Sequence, residues 1–217
     1  MGGTFIGVAD DATAAGSNPA GLIILTKPEF SAHFRATQFE DVAEDTPTGF
    51  RGSQGKTSTR PSFASIVYPL KNASFSFFYN QAANFETSTF RALLDQDGGL
   101  YRYNTESFNS LKLKANDVAL AAAVKLGSRL AVGVSGGVRR VSLNLYGSEI
   151  YSDSDGDGYA DWVGTETTDQ KVQVNAGILV NPNGKLSAGL VFKKGSEFEF
   201  GYSAASENSG PTYGAFG

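Results

Sequence analysis

Residues 117–139 read DVALAAAVKL, then GSR, then LAVGVSGGVR, and this stretch decides the fold. In both halves the larger apolar residues occupy every second position, which is the period of a β-strand with one apolar face. The residues between the halves, Gly127–Arg129, are of the types that tight turns require. The stretch therefore predicts a β-hairpin in which each strand presents one apolar face.

The same alternation recurs along the chain and predicts seven strands. They are Phe30–Phe39, Ser62–Tyr68, Ala73–Asn80, Asp117–Leu126, Leu130–Arg139, Lys171–Val180 and a seventh that begins at Lys185. Alternation over about ten residues is the length that a tilted strand needs to cross a bilayer. We expect one shared outward face that carries Val118, Leu120, Val124, Val132, Val134, Val174 and Ile178. Lys125, Arg139, Gln173 and Asn175 are expected to face inward.

The predicted connections fall into two length classes that alternate along the chain. The short ones are the turns Pro69–Asn72, Gly127–Arg129 and Asn181–Gly184, and the long polar ones are Glu40–Arg60, Gln81–Ser110 and Tyr146–Gln170. Outer-membrane barrels alternate in this way, with short periplasmic turns and long outer loops. The fold class predicted is therefore all-β, an antiparallel transmembrane β-barrel.

The alternation of apolar residues changes phase about ten residues from the turn Gly127–Arg129, on both strands of this hairpin. The apolar residues there are odd-numbered: Leu111 and Leu113 on one strand, and Val141, Leu143 and Leu145 on the other. We interpret this change as the outer edge of the membrane band, where a β-bulge reverses the side chains.

Composition excludes several classes of function. The chain has 217 residues, no cysteine, a net charge of −4 and a single histidine, His33. Disulfide and thiolate chemistry are excluded, and a two-histidine metal site cannot be built. The charge is of the wrong sign for nucleic acid. No run approaches the ~18 apolar residues of a membrane helix. We expect neither an enzyme nor a nucleic-acid-binding protein.

The N-terminal residues Val8–Leu22 read VADDATAAGSNPAGL and are rich in small side chains. Asp10 or Asp11 is a suitable N-cap for a short helix over Ala12–Gly16, because a carboxylate accepts the free N–H groups of the first turn. Ser17-Asn18-Pro19 should end this helix, since the residue before proline is pushed out of the helical region. Asn18 can bond its own downstream backbone, as in an Asx turn.

This segment resembles the N-terminal plug of the FadL family, the outer-membrane channels for long-chain fatty acids and aromatic hydrocarbons. The resemblance rests on Asp10 and Asp11 and on the signature Asn18, Pro19 and Ala20, within about the first 30 residues. It implies a partly helical plug over residues 1–28 and a partial barrel over 29–217, about seven of a probable fourteen strands. It also implies passive uptake of a hydrophobic cargo, contact with membrane lipid and a place in the bacterial outer membrane.

Two other functions remain open at this point. Relatives with the same plug motifs serve as subunits of secretion machinery or of surface attachment, and these bind protein partners. A secreted calcium-binding β-protein is the third hypothesis. Because no secretory leader precedes Met1, and because Tyr213–Gly217 does not read as a final amphipathic strand, we expect the chain to be a fragment.

The sequence also predicts a calcium site in the last long connection. Residues 153–161 read DSDGDGYAD, with carboxylates at alternate positions and then glycine, as in a calcium loop. The predicted ligands are Asp153, Asp155, Asp157, the backbone of Tyr159, and Asp161. Position twelve of the loop is Gly164 instead of glutamate, which departs from the EF-hand and lowers the expected affinity.

Overall fold

The computed structural model describes residues 11–44, 51–97, 100–153, 158–180, 186–195, 197–206 and 210–216. Within them, side-chain positions are described for 11–38, 57–89, 106–150, 160–180, 186–195 and 197–201. The described chain is mostly strand, and its nine strands belong to one antiparallel sheet.

The strands are long, and neighbours in sequence are neighbours in the sheet. Their bounds are β1 Glu29–Glu44, β2 Arg51–Pro69, β3 Ala73–Asp97, β4 Leu100–Lys125, β5 Leu130–Asp153, β6 Gly158–Val180, β7 Ala188–Lys193, β8 Phe200–Ser206 and β9 Gly210–Phe216. The order is β1-β2-β3-β4-β5-β6-β8-β9, and β7 also pairs with β6. Six of the seven predicted strands lie in an observed strand, except that Leu126 is beyond the end of β4, and the seventh, predicted from Lys185, is observed as β7 from Ala188 to Lys193.

Strands β7 and β8 share the same edge of β6. Asn175 of β6 pairs with Lys193 of β7, and Gly164 pairs with Ser203 of β8. In the described part of the chain, no strand pairs with this edge of β6 between those two positions. The two short strands are thus one interrupted strand. Strand β9 was not predicted, and the expectation that the C-terminus lacks a strand is wrong for Gly210–Phe216.

The short turns are where the sequence predicts them, but the long polar loops are not loops. Pro69 ends β2 and Ala73 begins β3, while Lys125 ends β4 and Leu130 begins β5. The third predicted turn, Asn181–Gly184, lies outside the described residues. By contrast, Glu40–Arg60, Gln81–Ser110 and Tyr146–Gln170 consist largely of paired strand. The prediction failed because backbone hydrogen bonds hold these ladders, while polar side chains on both faces hide the strand period.

The prediction of a bulge in the β4–β5 hairpin is also wrong. The register of β4 and β5 runs without a shift from Tyr103↔Asp153 to Lys125↔Ala131. In an unshifted strand the side chains keep alternating, so Val141 and Leu143 lie on the same face as Ala131. The change of phase in the sequence therefore marks a change in which face is apolar.

The sheet has an inner face, defined here as the one that the N-terminal segment covers, and an outer face. Outer side chains include Leu120 (65% exposed), Val134 (57%) and Val172 (69%), whereas inner ones such as Ala121, Ala131 and Leu179 are buried. The predicted division is confirmed: the seven apolar residues share the outer face, and Lys125, Arg139, Gln173 and Asn175 share the inner one.

The N-terminal segment, residues 11–25, folds as two short helical turns on the inner face. The α-helix α1 covers Ala14–Ser17, so it begins two residues later than expected, and its N-cap is Thr13 instead of Asp10 or Asp11. A 3₁₀-helix covers Pro19–Ile24. Asp11 accepts hydrogen bonds from the backbone N and the hydroxyl of Thr13, so it stabilises the turn before α1. Asp10 lies outside the described residues. No helix in the described residues has the length and apolar character needed to cross a membrane.

Candidate functional site

The N-terminal segment, called the plug segment below, meets the sheet at two glycines. A Cβ atom on Gly133 of β5 would collide with the backbone of Pro19 and Ala20. A Cβ on Gly177 of β6 would collide with the Asn18 side chain, and would lie 3.2 Å from Pro19 Cδ. Gly133 and Gly177 pair across the two strands, so together they form one flat place on the inner face. The Asn-Pro-Ala motif occupies it.

Hydrogen bonds fix the plug segment at several points. Asn18 Oδ1 accepts from Ala20 N at 3.1 Å, as the predicted Asx turn requires, and Asn18 Nδ2 donates to the carbonyl of Ile178 at 3.3 Å. At the other end, Ala12 N donates to Glu29 Oε1 at 2.9 Å, and Ser65 Oγ donates to the Ala12 carbonyl at 3.1 Å. The segment is therefore bound to the first two strands and to β6.

Apolar contacts complete the docking of the plug segment. Leu22 of the 3₁₀-helix is fully buried, as are Asn18, Pro19 and Ala20. Ala20 and Leu22 belong to the main hydrophobic core together with residues of the sheet such as Phe78 and Leu179. The expected burial of the Asn-Pro-Ala motif against the sheet is confirmed. Because this core lies between the plug segment and the sheet, neither part can bury its apolar surface alone.

A polar cluster lies farther along the inner face. Asp117 is 2% exposed and accepts from Arg139 Nε at 2.7 Å and from Arg139 Nη2 at 2.9 Å. Asn80 Nδ2 donates to the same carboxylate at 3.2 Å. The Asp117 carboxylate therefore accepts three hydrogen bonds, two of them from one guanidinium group, and the cluster is a fixed part of the sheet. The sequence carries a signal for this pair, because Asp117 and Arg139 are equally far from the turn Gly127–Arg129 and so pair across the hairpin.

Beyond this cluster the inner face carries a second apolar region. The inner apolar patch consists of Leu111, Leu113, Val141, Leu143 and Leu145, and the two strands place Leu113 opposite Leu143 and Leu111 opposite Leu145. Val141 and Leu143 are buried, and the other three are half-buried. These are the residues that the sequence analysis assigned to the outer face after a bulge. A continuous register would have placed them correctly.

A small cavity of about 130 Å³ adjoins the inner apolar patch. Leu111 and Leu145 line it together with Val163 of β6, while Thr87 and Asn109 supply polar atoms. Pockets that are mostly apolar with a few polar groups are typical of sites for small hydrophobic ligands.

On the outer face, an apolar band ends at the same level along the strands at which the inner apolar patch begins. The apolar side chains of this band lie within residues 118–126, 130–138 and 172–180. The next outer residues are Asn116, Arg140 and Gln170, which pair with one another in register. We call these three the polar row. Tyr79 Oη donates to Asn116 Oδ1 at 2.8 Å, so an aromatic hydroxyl lies at the same boundary.

Asp169 lies beside the interruption between β7 and β8. Its carboxylate accepts from Gln170 N at 2.7 Å and from Glu199 N at 3.5 Å, and Lys171 Nζ is 3.3 Å away. Desolvation is the largest single effect and raises the pKa of Asp169, but these hydrogen bonds together lower it below its usual value. The ionised carboxylate thus ties the chain after β7 to β6.

The predicted calcium site is described only in part. Asp155 and Asp157 lie outside the described residues, and of Asp153 and Tyr159 only the backbone is described. Asp161 pairs with Glu149 across β5 and β6, and its buried Oδ1 has no hydrogen-bond partner among the residues that the structure describes. No group of three or more acidic, histidine or cysteine side chains able to hold a metal occurs among the residues with described positions. The calcium site stays a prediction.

His33 lies on the inner face, with its ring 5.6 Å from that of Phe63.

Comparison with known proteins finds no match for this chain among family models, curated proteins or solved structures.

Proposed function

We propose that this chain is part of an outer-membrane channel of the FadL type, which lets hydrophobic compounds such as long-chain fatty acids or aromatic hydrocarbons enter passively. One observation carries the proposal: on β4 and β5 the larger apolar side chains lie on the outer face up to the polar row and on the inner face beyond it. The outer band suits hydrocarbon, and the inner apolar patch suits a ligand that has already left the water.

The outer band has the dimensions of a membrane crossing. Each of its three segments is nine residues long (118–126, 130–138 and 172–180), and a tilted transmembrane strand needs ~9–11 residues. A soluble protein seldom exposes so continuous an apolar surface. In bacteria, a barrel of this kind belongs to the outer membrane. The proposal includes closure of the sheet into a barrel, since open edges are not tolerated in hydrocarbon.

The plug segment explains why such a channel would not leak. It packs across the inner face at the level of Gly133 and Gly177, inside the band, while the inner apolar patch lies above it. A cargo that enters from the side of the long hairpins would meet the patch first and the plug segment next. The proposal assigns binding and passage to these residues and no catalytic step.

Ligand binding by paired variants tests this proposal. We would measure the affinity of the full chain, refolded in detergent, for naphthalene and for oleate. Leu111→Asn/Leu145→Asn should weaken binding of at least one of them tenfold or more, because both residues line the inner cavity. Ser142→Asn/Ser148→Asn changes two outward-facing residues of β5 that do not line this cavity, and it should bind like the parent. Equal binding by all three proteins would refute a cargo site at the patch.

A second candidate is a subunit of secretion machinery or surface attachment. The β3–β4 hairpin favours it, since its ladder continues from Asn116 to Leu100, which is roughly 50 Å of extended strand beyond the polar row. A hairpin that extends so far beyond the band suits a protein partner. Replacing residues 91–107 by Asn-Gly shortens this hairpin and should leave ligand affinity unchanged under the channel proposal. Loss of secretion or of surface attachment in cells that carry only this variant would favour the alternative.

A further inference from the structure

The outer face carries an apolar groove that the channel proposal does not use. It lies across β2 to β5 and has a volume of about 620 Å³. Phe75, Ala122 and Val134 form one row across it, and Phe77, Leu120 and Gly136 form the next. Two small residues, Ala122 and Gly136, stand between larger neighbours in these rows. The absence of bulk at these two positions leaves a depression in an otherwise full apolar band.

One end of this groove leads to a basic edge of the sheet. Lys71 lies in the β2–β3 turn and Arg129 in the β4–β5 turn, and both are exposed. The two turns touch, because Lys125 N donates to the Asn72 carbonyl at 2.9 Å. Lys71 is four residues before Phe75, so at most about 13 Å of extended chain separates the edge from the groove.

Acidic residues are scarce at this edge. Within the described ranges 26–30, 68–74 and 124–131, the sole acidic residue is Glu29, which accepts from Ala12 N on the inner face. Lys27, Lys71, Lys125 and Arg129 are the basic ones. Beyond the polar row, in contrast, acidic residues such as Glu86 and Asp169 accompany the basic ones. The turn edge is therefore positively charged while the outer band beside it is apolar.

We propose that the groove and the turn edge together bind one anionic phospholipid. Its acyl chain lies along Phe75, Phe77 and Leu120, and its phosphate contacts Lys71 and Arg129. Arginine and lysine are the usual partners of phosphate oxygens, and arginine binds them in a bidentate manner. An apolar tail next to an anionic head is the chemistry that this groove and edge match. The inference rests on the membrane placement proposed above, but not on the identity of the cargo.

Native mass spectrometry of the full chain in a non-ionic detergent tests the head-group contact. Dioleoyl phosphatidylglycerol should bind at least fivefold more tightly than dioleoyl phosphatidylcholine. Lys71→Gln/Arg129→Gln should remove this preference and leave phosphatidylcholine binding unchanged. The matched control Lys112→Gln/Lys114→Gln removes the same charge beyond the polar row and should keep the preference. If the two lipids bind the parent equally, or if both double variants behave alike, the proposal is overturned.

A groove-filling variant tests the acyl-chain contact. Ala122→Phe places a ring in the depression and should lower the binding of both lipids severalfold. Ala32→Phe makes the same change on the outer face of β1, outside the groove, and should bind like the parent. Undiminished phosphatidylglycerol binding by folded Ala122→Phe overturns the groove as the site.

Flotation with vesicles separates failure of this inference from failure of the membrane placement. Parent chain that floats with pure phosphatidylcholine vesicles, but shows no preference for phosphatidylglycerol in the binding experiment, retains the membrane placement and loses only the lipid site. Parent chain that floats with neither pure phosphatidylcholine vesicles nor vesicles containing one-fifth phosphatidylglycerol overturns both.

Discussion

Gly133 and Gly177 show how single residues determine where the plug segment docks. Neither lies in a turn, and glycine weakens a strand interior because it packs no side chain. Their value is the close approach of another backbone, as in other strands where glycine marks such contacts. The sequence showed both glycines, but their role depends on the Asn-Pro-Ala motif more than 100 residues earlier. Only the folded chain brings the two together.

Gly177→Ala is expected to destabilise the docked plug segment by about 1–3 kcal/mol, as overpacking of a close contact usually does. The new Cβ would lie 3.1 Å from Asn18 Cγ as well as against its oxygen. Gly136→Ala on β5 is the matched control, since its nearest neighbour, the Gln173 carbonyl, is 3.9 Å away. Unfolding in denaturant and protease cleavage within residues 11–25 measure the effect. Identical curves for both variants would contradict tight docking.

At the scale of the strands, the sequence predicted the parts that lie in the band and missed those outside it. Within the band one face is apolar, so alternation identifies β4, β5 and β6 and their orientation. Outside it, Thr87, Ser110 and Thr168 belong to ladders in which neither face is uniformly apolar. Local pattern cannot distinguish such a ladder from a polar loop, because its stability comes from pairing with a distant strand. The inner apolar patch was placed wrongly for a different reason, since a bulge was expected where the register of β4 and β5 is continuous.

Leu120→Arg should cost about 2–4 kcal/mol of stability in a bilayer, the range found for basic residues near the middle of a lipid-facing surface. Leu120 lies within the outer band and is 65% exposed. Asn144→Arg also faces outward but lies beyond the polar row, so its cost should be close to zero. Reversible unfolding of the refolded protein in vesicles measures both. A cost for Asn144→Arg equal to that for Leu120→Arg would argue against a membrane boundary at the polar row.

The β5–β6 hairpin carries the prediction about calcium. Three carboxylates within five residues, Asp153, Asp155 and Asp157, repel one another, so a bound cation should order their loop. We expect weak binding, with Kd in the ~10⁻⁴–10⁻³ M range typical of extracellular modules. Trp162 directly follows Asp161, and its fluorescence during a calcium titration reports the event. A flat titration to several millimolar, with Asp155→Asn indistinguishable from the parent, would leave a solvated acidic loop.

At the scale of the whole molecule, the described chain has one main hydrophobic core, and the plug segment and the sheet share it. Ala14, Ala20 and Leu22 come from the segment, while Val67, Phe78 and Leu179 come from three strands. The small residues of the plug segment pack against larger apolar residues of the sheet. The residues of the sheet that contact the plug segment could not be predicted from the sequence, because they come together only when all strands from β1 to β6 have paired.

Leu22→Ala should therefore lower the stability of the whole chain by about 2–5 kcal/mol, the usual cost of emptying a buried leucine site. Leu22 is fully buried, whereas Leu126, the control position for the same change, is 53% exposed. Denaturant unfolding followed both by Trp162 fluorescence and by far-ultraviolet circular dichroism should show one shifted transition. Two separate transitions, with only the first one shifted, would mean that the plug segment folds independently of the sheet.

The places where strand register shifts also limit how this sequence can change over generations. Shifts occur opposite His33 and Phe34, after Gln81 and after Asp95, and each lies at or beyond the level of the polar row. Inserting one residue in a strand moves every later side chain to the opposite face. Within the band, such a shift would turn serine and glutamine side chains to the apolar outer face. Single-residue insertions and deletions should therefore accumulate in descendants of this chain at or beyond the polar row. Strand lengths within the outer band should remain constant.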